Sequence, residues 1–316
     1  MTPESPADAA RRNTVGGLYA AAAYLMWGFL PLYFAALAPA SAWEVVGWRI
    51  VFSLVFCALL ILVTRSWGRI VAIARQPRLL ALTALAGLLI FVNWQVFLIG
   101  TLSHHIIETS LGYFINPIVT VLLGVIVLRE RLRPVQWAAI GLAVVAVGVI
   151  VAGYGEFPWI AVTLALSFGV YGLVKKRIGP SVDAVSGLTF ESLWLVPIAV
   201  VELAIVSATS GLTIGTAGVG HTLLLVSAGI VTAVPLLLFA AGTRRATLTL
   251  VGLLQFIAPI LQFLTGWLLM GEQMTTQRWV GFGIVWLALA VLSVDSVVAG
   301  RRSRRARGAS DVAELT

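Results

Sequence analysis

Asn93, Gln95, His104, His105, Glu108, Tyr113 and Asn116 all fall within one short run, NWQVFLIGTLSHHIIETSLGYFINP, from Asn93 to Pro117. The run crosses the end of one very apolar segment and the start of the next. Polar groups at membrane depth are costly, so they face a bundle interior or a watery cavity. These side chains donate and accept hydrogen bonds, and the histidines and Glu108 can exchange protons. Such a set suits recognition of a polar solute better than bond-making. The run reads as one wall of a substrate pathway.

Arg49, in VVGWRIVFS, lies about six residues into another apolar segment. Its guanidinium cannot be neutralised by deprotonation, and burial near a helix centre costs about 2.5–3.5 kcal/mol on insertion scales. It needs water, a substrate anion or a carboxylate such as Glu44 or Glu108. Glu108 sits near a helix N-terminus, which favours its ionised form. It follows His104 by four residues, a helix-face spacing. It reads either as a proton-sensitive group at the outer mouth or as an interfacial carboxylate. Glu191, in GLTFESLWLVP, lies about six residues into the seventh segment from the inner face. A buried arginine and a buried carboxylate suit two alternating gates, with Glu191 exchanging protons; helix packing is the alternative. Glu202 and Asp295 lie nearer segment ends and read as interfacial.

Asn116 precedes Pro117, and Pro259 lies between Gln255 and Gln262. A proline removes one backbone donor and frees a carbonyl one turn back, and such helix breaks are tolerated where they line a cavity. Trp27, Trp48 and Trp94 are deep enough to wall a pocket for an organic solute, or to fill a core. Trp43, Trp67, Trp159, Trp267 and Trp279 read as belt residues at the membrane–water interface. A zinc site is not credible, because the two histidines have no third ligand at a known spacing and no HExxH occurs. The single cysteine, Cys57, excludes an internal disulfide. There is no Walker-type phosphate loop, no G-x-S-x-G and no pair of deep aspartates. No catalytic residue, metal or cofactor is expected.

The elements that must hold these residues follow from composition. Sixty per cent of the chain is hydrophobic, 11% is charged and the mean hydropathy is +1.00. A soluble domain carries about 25% charged residues, so this is an integral membrane protein. A helix needs about 20 apolar residues to cross the bilayer, and ten such segments appear: 15–37, 43–64, 78–100, 104–128, 134–152, 157–175, 185–206, 219–242, 246–270 and 276–298. Residues 1–14 form a polar N-terminal segment without a small-residue cleavage site, so the first helix is expected to stay. Residues 299–316 form a basic tail, expected to be disordered.

The net charge of +8 does not mean nucleic acid, because the basic residues fall in clusters between the apolar segments. With the N-terminus in the cytoplasm, 19 of the 21 lysines and arginines lie inside. The exceptions are Arg49 and Arg278, and the outer loops hold Glu44, Glu156 and Glu272. Both termini are then cytoplasmic. The chain also repeats. The shift that sets Pro117 on Pro259 also sets Gly124 on Gly266, Glu130 on Glu272, Trp137 on Trp279 and Gly141 on Gly283. A slightly longer shift sets Trp27-Gly28 on Tyr171-Gly172. A unit of five helices is odd, so residues 15–152 and 157–298 would be inverted repeats, an architecture of secondary transporters.

The run NWQVFLIGTLSHHIIETSLGYFINPIVTVLLGVIVLRERL resembles the signature of RarD-type permeases, in the EamA family of the drug/metabolite transporter superfamily. AYLMWGFLPLYF, WRIVFS, YGLVKK, GLTFESLWLVP, TAVPLLLFAAG and GLLQFIAPILQFL extend the resemblance over nearly the whole chain. His105-Ile106 and Ile257-Ala258 depart from the pattern. The resemblance implies an all-α protein of ten helices in two inverted halves, a bacterial cytoplasmic-membrane location and export or uptake of a small solute. It carries no agreed site residues over.

Together these readings give a secondary transporter working by alternating access. Segments 1–4 and 6–9 line its cavity, and segments 5 and 10 pack at the periphery or support a homodimer. The cavity candidates are Arg49, Asn93, Gln95, Tyr113, Asn116, Gln255, Trp27 and Trp94. Glu108, Glu191 and His104 are the coupling or gating candidates, and Pro117 and Pro259 the helix breaks. The cargo class is an amino acid, an amine or a drug-like metabolite. A passive channel or facilitator, a scaffold without cargo and an intramembrane enzyme are the rival readings. The expected partners are the lipid bilayer and the solute, not nucleic acid.

Overall fold

Apolar sequence of spanning length must satisfy every backbone group internally, which leaves the helix as its solution here. A computed structural model describes residues 6–129, 132–154 and 157–313, and it is all-helical over them. Glu130, Arg131 and Glu156 lie outside the described residues. Among the described residues, ten helical stretches are long and apolar enough to span, from Ala10–Ala35 to Thr276–Asp295. Their ends lie within about five residues of those expected from sequence.

The helices are α1 (Pro6–Gly28), α2 (Leu30–Ala35), α3 (Ala42–Thr64), α4 (Trp67–Ala74), α5 (Pro77–Leu102), α6 (Ile106–Leu128) and α7 (Pro134–Tyr154). They continue as α8 (Trp159–Ile178), α9 (Ala184–Thr209), α10 (Val219–Thr243), α11 (Leu248–Leu254), α12 (Ile257–Leu264) and α13 (Thr276–Ala313). The first span is α1 with α2; the ninth is α11, α12 and a wide turn at Thr265–Leu269. The tail is not irregular: α13 runs on through the basic stretch to Ala313. Alanine and arginine are strong helix formers, so a helix that is already nucleated extends through them.

Helix ends are set by identifiable residues. Ser41 caps α3 by accepting from Glu44 N at 3.2 Å, and the helix stops at Arg65, whose φ of 51° is left-handed. Asp183 caps α9, accepting from Val185 N and Ser186 N at 3.1 and 3.2 Å and from Ser186 Oγ at 2.8 Å. Burial pushes the Asp183 carboxyl up, but these bonds and the charge of Arg69, 3.7 Å away, outweigh it and hold the group below its usual range.

The helices pair in a pattern that maps onto itself when the first five spans are exchanged for the last five. The α3·α9, α6·α12 and α7·α13 contacts each join equivalent spans. The α1·α10 pair matches α8·α5, α1·α12 matches α8·α6, and α10·α3 matches α5·α9. Glycines permit the closest of these approaches. A Cβ on Gly229 of α10 would lie 2.3 Å from the Phe52 carbonyl of α3, and one on Gly87 of α5 would lie 3.1 Å from the Glu191 carbonyl of α9. The shift that sets Pro117 on Pro259 also sets Gly87 on Gly229. Small residues at helix crossings of this kind are how membrane helices gain packing without a hydrophobic drive.

Two buried clusters result. One gathers Phe34, Ile50, Trp94, Phe97, Leu164, Leu195 and Leu225 from α2, α3, α5 and α8–α10. The other holds Phe114, Ile140, Phe263, Phe282 and Val285 from α6, α7, α12 and α13. The α7–α13 pair sits at one side of the bundle and exposes Val144, Val145 and Leu287. Asp295 of α13 is paired with Arg133 at 2.6 Å.

The prolines act unequally. Pro31 cannot donate to the Trp27 carbonyl, and α1 ends at Gly28. Gln262 of α12 supplies the missing donor, Nε2 to Trp27 O at 3.1 Å. Pro259 likewise deprives the Gln255 carbonyl, and the ninth span breaks there between α11 and α12. The Gln255 side chain deepens the break: its Nε2 takes the Gly252 carbonyl at 2.8 Å, and the Phe256 N–H is left with Leu253 O at 3.5 Å. Pro117, expected as the matching break, does not interrupt α6. One missing donor bends a helix, and in α6 the position equivalent to Gln255 is Tyr113, whose hydroxyl bonds Asn93 rather than a carbonyl of its own helix.

Candidate functional site

Arg49 is 5% exposed, in the half of α3 away from the basic clusters. Its Nε donates to Thr232 Oγ1 of α10 at 2.8 Å. That hydroxyl donates to Ala228 O at 2.7 Å, which leaves its lone pairs for the guanidinium. The guanidinium carbon lies 4.1 Å from the Trp94 ring centroid and 5.5 Å from that of Phe34. Such placement over aromatic faces contributes about 0.5–2 kcal/mol each. No carboxylate lies within salt-bridge distance of Arg49 among the described residues. Neither Nη atom has a hydrogen bond to a described residue, yet neither is fully enclosed.

The carboxylates expected as partners are engaged elsewhere. Glu44 Oε1 accepts from Thr213 N at 2.7 Å and Ile214 N at 3.2 Å, holding the α9–α10 link. Glu108 Oε1 accepts from Ile160 N and Ala161 N at 3.0 and 3.4 Å, at the start of α8. Glu272 accepts from Ile106 N and Ile107 N at 2.5 and 2.9 Å, at the start of α6. Free N–H groups and the helix dipole make such starts natural carboxylate sites. Burial pushes the Glu272 carboxyl up, against the lowering effect of those two N–H donors and of His105 and His104. His104 does not share a helix face with Glu108. It lies before α6 with φ of 57°, where the chain turns out of α5. The two do meet at one surface pocket, with His105, Glu272 and Arg278.

Beside Arg49 and Trp94 stand two polar residues of the run that begins at Asn93, namely Asn93 itself and Tyr113. Asn93 Nδ2 donates to Leu164 O and Ser167 Oγ of α8, both at 3.2 Å, and its Oδ1 accepts from Tyr113 OH at 2.9 Å. The Tyr113 ring makes edge contacts with Phe97 at 5.8 Å and Phe168 at 6.0 Å. Phe34 contacts Phe97 at 6.1 Å, and Phe168 contacts Tyr171 at 5.9 Å. Phe34, Phe97, Tyr113, Phe168 and Tyr171 thus form a continuous ladder of rings.

At the far end of that ladder stands Glu191, 2% exposed. Its Oε1 is 2.7 Å from Lys175 Nζ, and its Oε2 accepts from Tyr171 OH at 3.1 Å. The shift that relates the two prolines also carries Arg49 onto Glu191, so the two charged poles occupy equivalent positions in the two halves. That equivalence is readable in the sequence, as is the depth of each residue. Lys175 is not: it reads as a loop charge, and its long side chain brings the ammonium back to the carboxylate.

The other candidates lie apart. Trp27 packs on Tyr24 at 5.5 Å and Phe239 at 5.6 Å, beside the Gln262 contact. Gln255 stands at the break in the ninth span. Both polar atoms of Gln95, and Asn116 Oδ1, are buried without a hydrogen-bond partner among the described residues. Glu202, expected at the interface, is 6% exposed with both carboxyl oxygens in the same condition. Its turn of α9 packs against α3, where Leu203 meets Gly47, and that contact withdraws it from the surface. Phe34 and Thr232 are the members of the arginine site that sequence reasoning missed. Thr232 had a usable signal, a hydroxyl three residues before Pro235 in a span equivalent to α5.

Residues 14–152 match the EamA-like transporter family model. The chain is 44% identical to a RarD protein of Streptomyces exfoliatus, over 94% of this chain and 93% of the relative. It is 41% identical to an uncharacterized transporter of Vibrio cholerae, over 97% and 99%, and 38% identical to RarD of Escherichia coli, over 94% and 99%. A protein of known crystal structure, 18% identical, superposes with a TM-score of 0.57 over 88% of this chain and 97% of its own length. That likeness speaks for the fold alone.

Proposed function

Because the chain belongs to the EamA-like transporter family, together with the RarD proteins, we propose that it moves a small organic solute across the bacterial cytoplasmic membrane by alternating access. The carrying observation is Arg49: a permanent cation, buried among aromatic rings, with unused donors and no counter-ion among the described residues. A purely structural arginine would be paired, because an unpaired buried charge is strongly destabilising. In this reading α1–α3, α5, α6 and α8–α12 surround the path, and the ring ladder forms its wall. Arg49 and Trp94, with Asn93 and Tyr113 behind them, make the solute contact.

The pseudo-symmetric helix pairing supports two inverted five-helix halves that rock about the site. The basic clusters support a cytoplasmic side for both termini. Glu272 and Glu108, bridging helix starts at the opposite end, would hold the outer side together. Glu191, Lys175 and Tyr171 would play the corresponding part nearer the cytoplasm.

Solute counterflow in proteoliposomes tests the reading. Transient accumulation of a labelled solute marks a carrier and separates it from a channel, which shows none. Arg49→Ala should abolish counterflow while leaving expression and detergent stability near those of the unaltered protein. A variant that fails to fold, or that transports normally, assigns Arg49 a structural part instead.

A further inference from the structure

We propose that the Arg49 site selects a monoanion, specifically a carboxylate on an aromatic body, over amines and zwitterions; this rests on the transporter reading above. Four observations carry it. The guanidinium keeps its two Nη groups unbonded among the described residues, which is the fork that a carboxylate fills with two parallel hydrogen bonds. Beyond the Thr232 hydroxyl, which Nε holds at 2.8 Å, its surroundings are aromatic: Trp94 at 4.1 Å, Phe34 at 5.5 Å, then Phe97 and Tyr113 through edge contacts. Ring edges and faces at such spacing recognise another aromatic ring.

The third observation concerns charge balance. A cationic amine would meet Arg49 with no anion to shield it. Glu44, Glu108 and Glu191 are bonded to backbone N–H groups or to Lys175, and Glu202, on the turn of α9 that meets Gly47, lies beyond ion-pair distance of Arg49. An α-amino acid would satisfy the guanidinium but leave its ammonium without a counter-ion in the same low-dielectric space, where an unpaired charge is costly. The fourth is that the site holds one cation. Lys175, at the other end of the ladder, is neutralised by Glu191. A dianion such as a phosphate monoester would be half neutralised.

Four probes of nearly one shape separate these classes: phenylacetate, phenylacetamide, phenethylamine and phenylalanine. Their binding to the purified full chain in detergent is measured by isothermal titration, and each is then run in counterflow. Phenylacetate should bind roughly tenfold or more tightly than the amide, the difference a charge-assisted bidentate contact makes. Phenylalanine should be weaker than phenylacetate, and phenethylamine should give no heat. Arg49→Lys should keep the order with weaker binding, and Arg49→Gln should bring acid and amide within about twofold of each other.

Binding of the amide, the amine or phenylalanine as tight as that of phenylacetate overturns the proposal, as does no binding of phenylacetate at about 10 mM. Should Arg49→Gln not fold, the order of the four probes on the unaltered protein decides by itself. Ordered binding without counterflow would sink the carrier reading and leave the anion site standing. Counterflow of the amine would do the reverse.

Discussion

Gln262→Leu removes the side-chain amide that donates to the Trp27 carbonyl at 3.1 Å. That carbonyl has lost its helical donor to Pro31, and Gln262 is 3% exposed, so water does not replace the amide. Leaving a buried carbonyl unsatisfied costs about 1–3 kcal/mol. Gln262 Oε1, however, has no hydrogen-bond partner among the described residues, and removing it relieves an orphan acceptor. The net loss should therefore fall at the low end, about 1 kcal/mol, or a roughly fivefold fall in the folded-to-unfolded ratio.

The origin of that loss is checked by a double-mutant cycle with Pro31→Ala, which gives residue 31 an N–H of its own for the Trp27 carbonyl. In that background Gln262→Leu should be nearly neutral, a coupling of about 1 kcal/mol against an additivity error of about 0.3–0.5 kcal/mol. Reversible unfolding of the purified protein in mixed micelles supplies the four free energies. Equal costs of Gln262→Leu in both backgrounds would refute the account, because the carbonyl would then not depend on the amide.

Asp183→Ala should cost about 1 kcal/mol, the usual loss for an N-cap, with Asn much better tolerated. Because the folded Asp183 carboxyl titrates below its unfolded value of 3.8, its contribution is complete above that value and is lost as the pH falls through the folded one. Acid unfolding of the Asn variant should lack that component. Glu191→Gln strands Lys175 and should destabilise by about 1–3 kcal/mol, discounted because the lysine is about a third exposed. Adding Lys175→Met should restore most of the loss in the same unfolding assay, and a double variant no better than the single one contradicts the pairing. In a Cys57→Ala background, cysteines at Asn116 and Gln255 should react with small polar thiol reagents. Inert thiols at both positions in every condition would place the path elsewhere.

Helix number and extent were readable because spanning length and continuous apolarity have few other meanings. Arg49 was readable because its charge is permanent and its segment uninterrupted. What escaped depends on where long side chains and loop residues turn. Glu272 reads as a loop acid but reaches the first N–H groups of α6. His104 reads as helical until its left-handed φ is known. Pro117 and Pro259 occupy equivalent positions, but the residue four before each is Tyr113 in one and Gln255 in the other, and the break follows the Gln255 side chain taking a main-chain carbonyl. Such competition depends on a rotamer, which a hydropathy pattern does not carry.

The unequal prolines bear on the resting state of the proposed transport cycle. In the alternating-access cycle proposed above, two identical inverted halves would make the outward-open and inward-open states equivalent by a twofold rotation and equal in energy. Here α6 is unbroken while its equivalent is divided between α11 and α12. The two open states bend different helices and so differ in energy. Each step of about 1.4 kcal/mol between them is a tenfold bias in population. In that proposed cycle, Gln255 beside Pro259 would be one built-in source of a resting bias, independent of any solute or ion gradient.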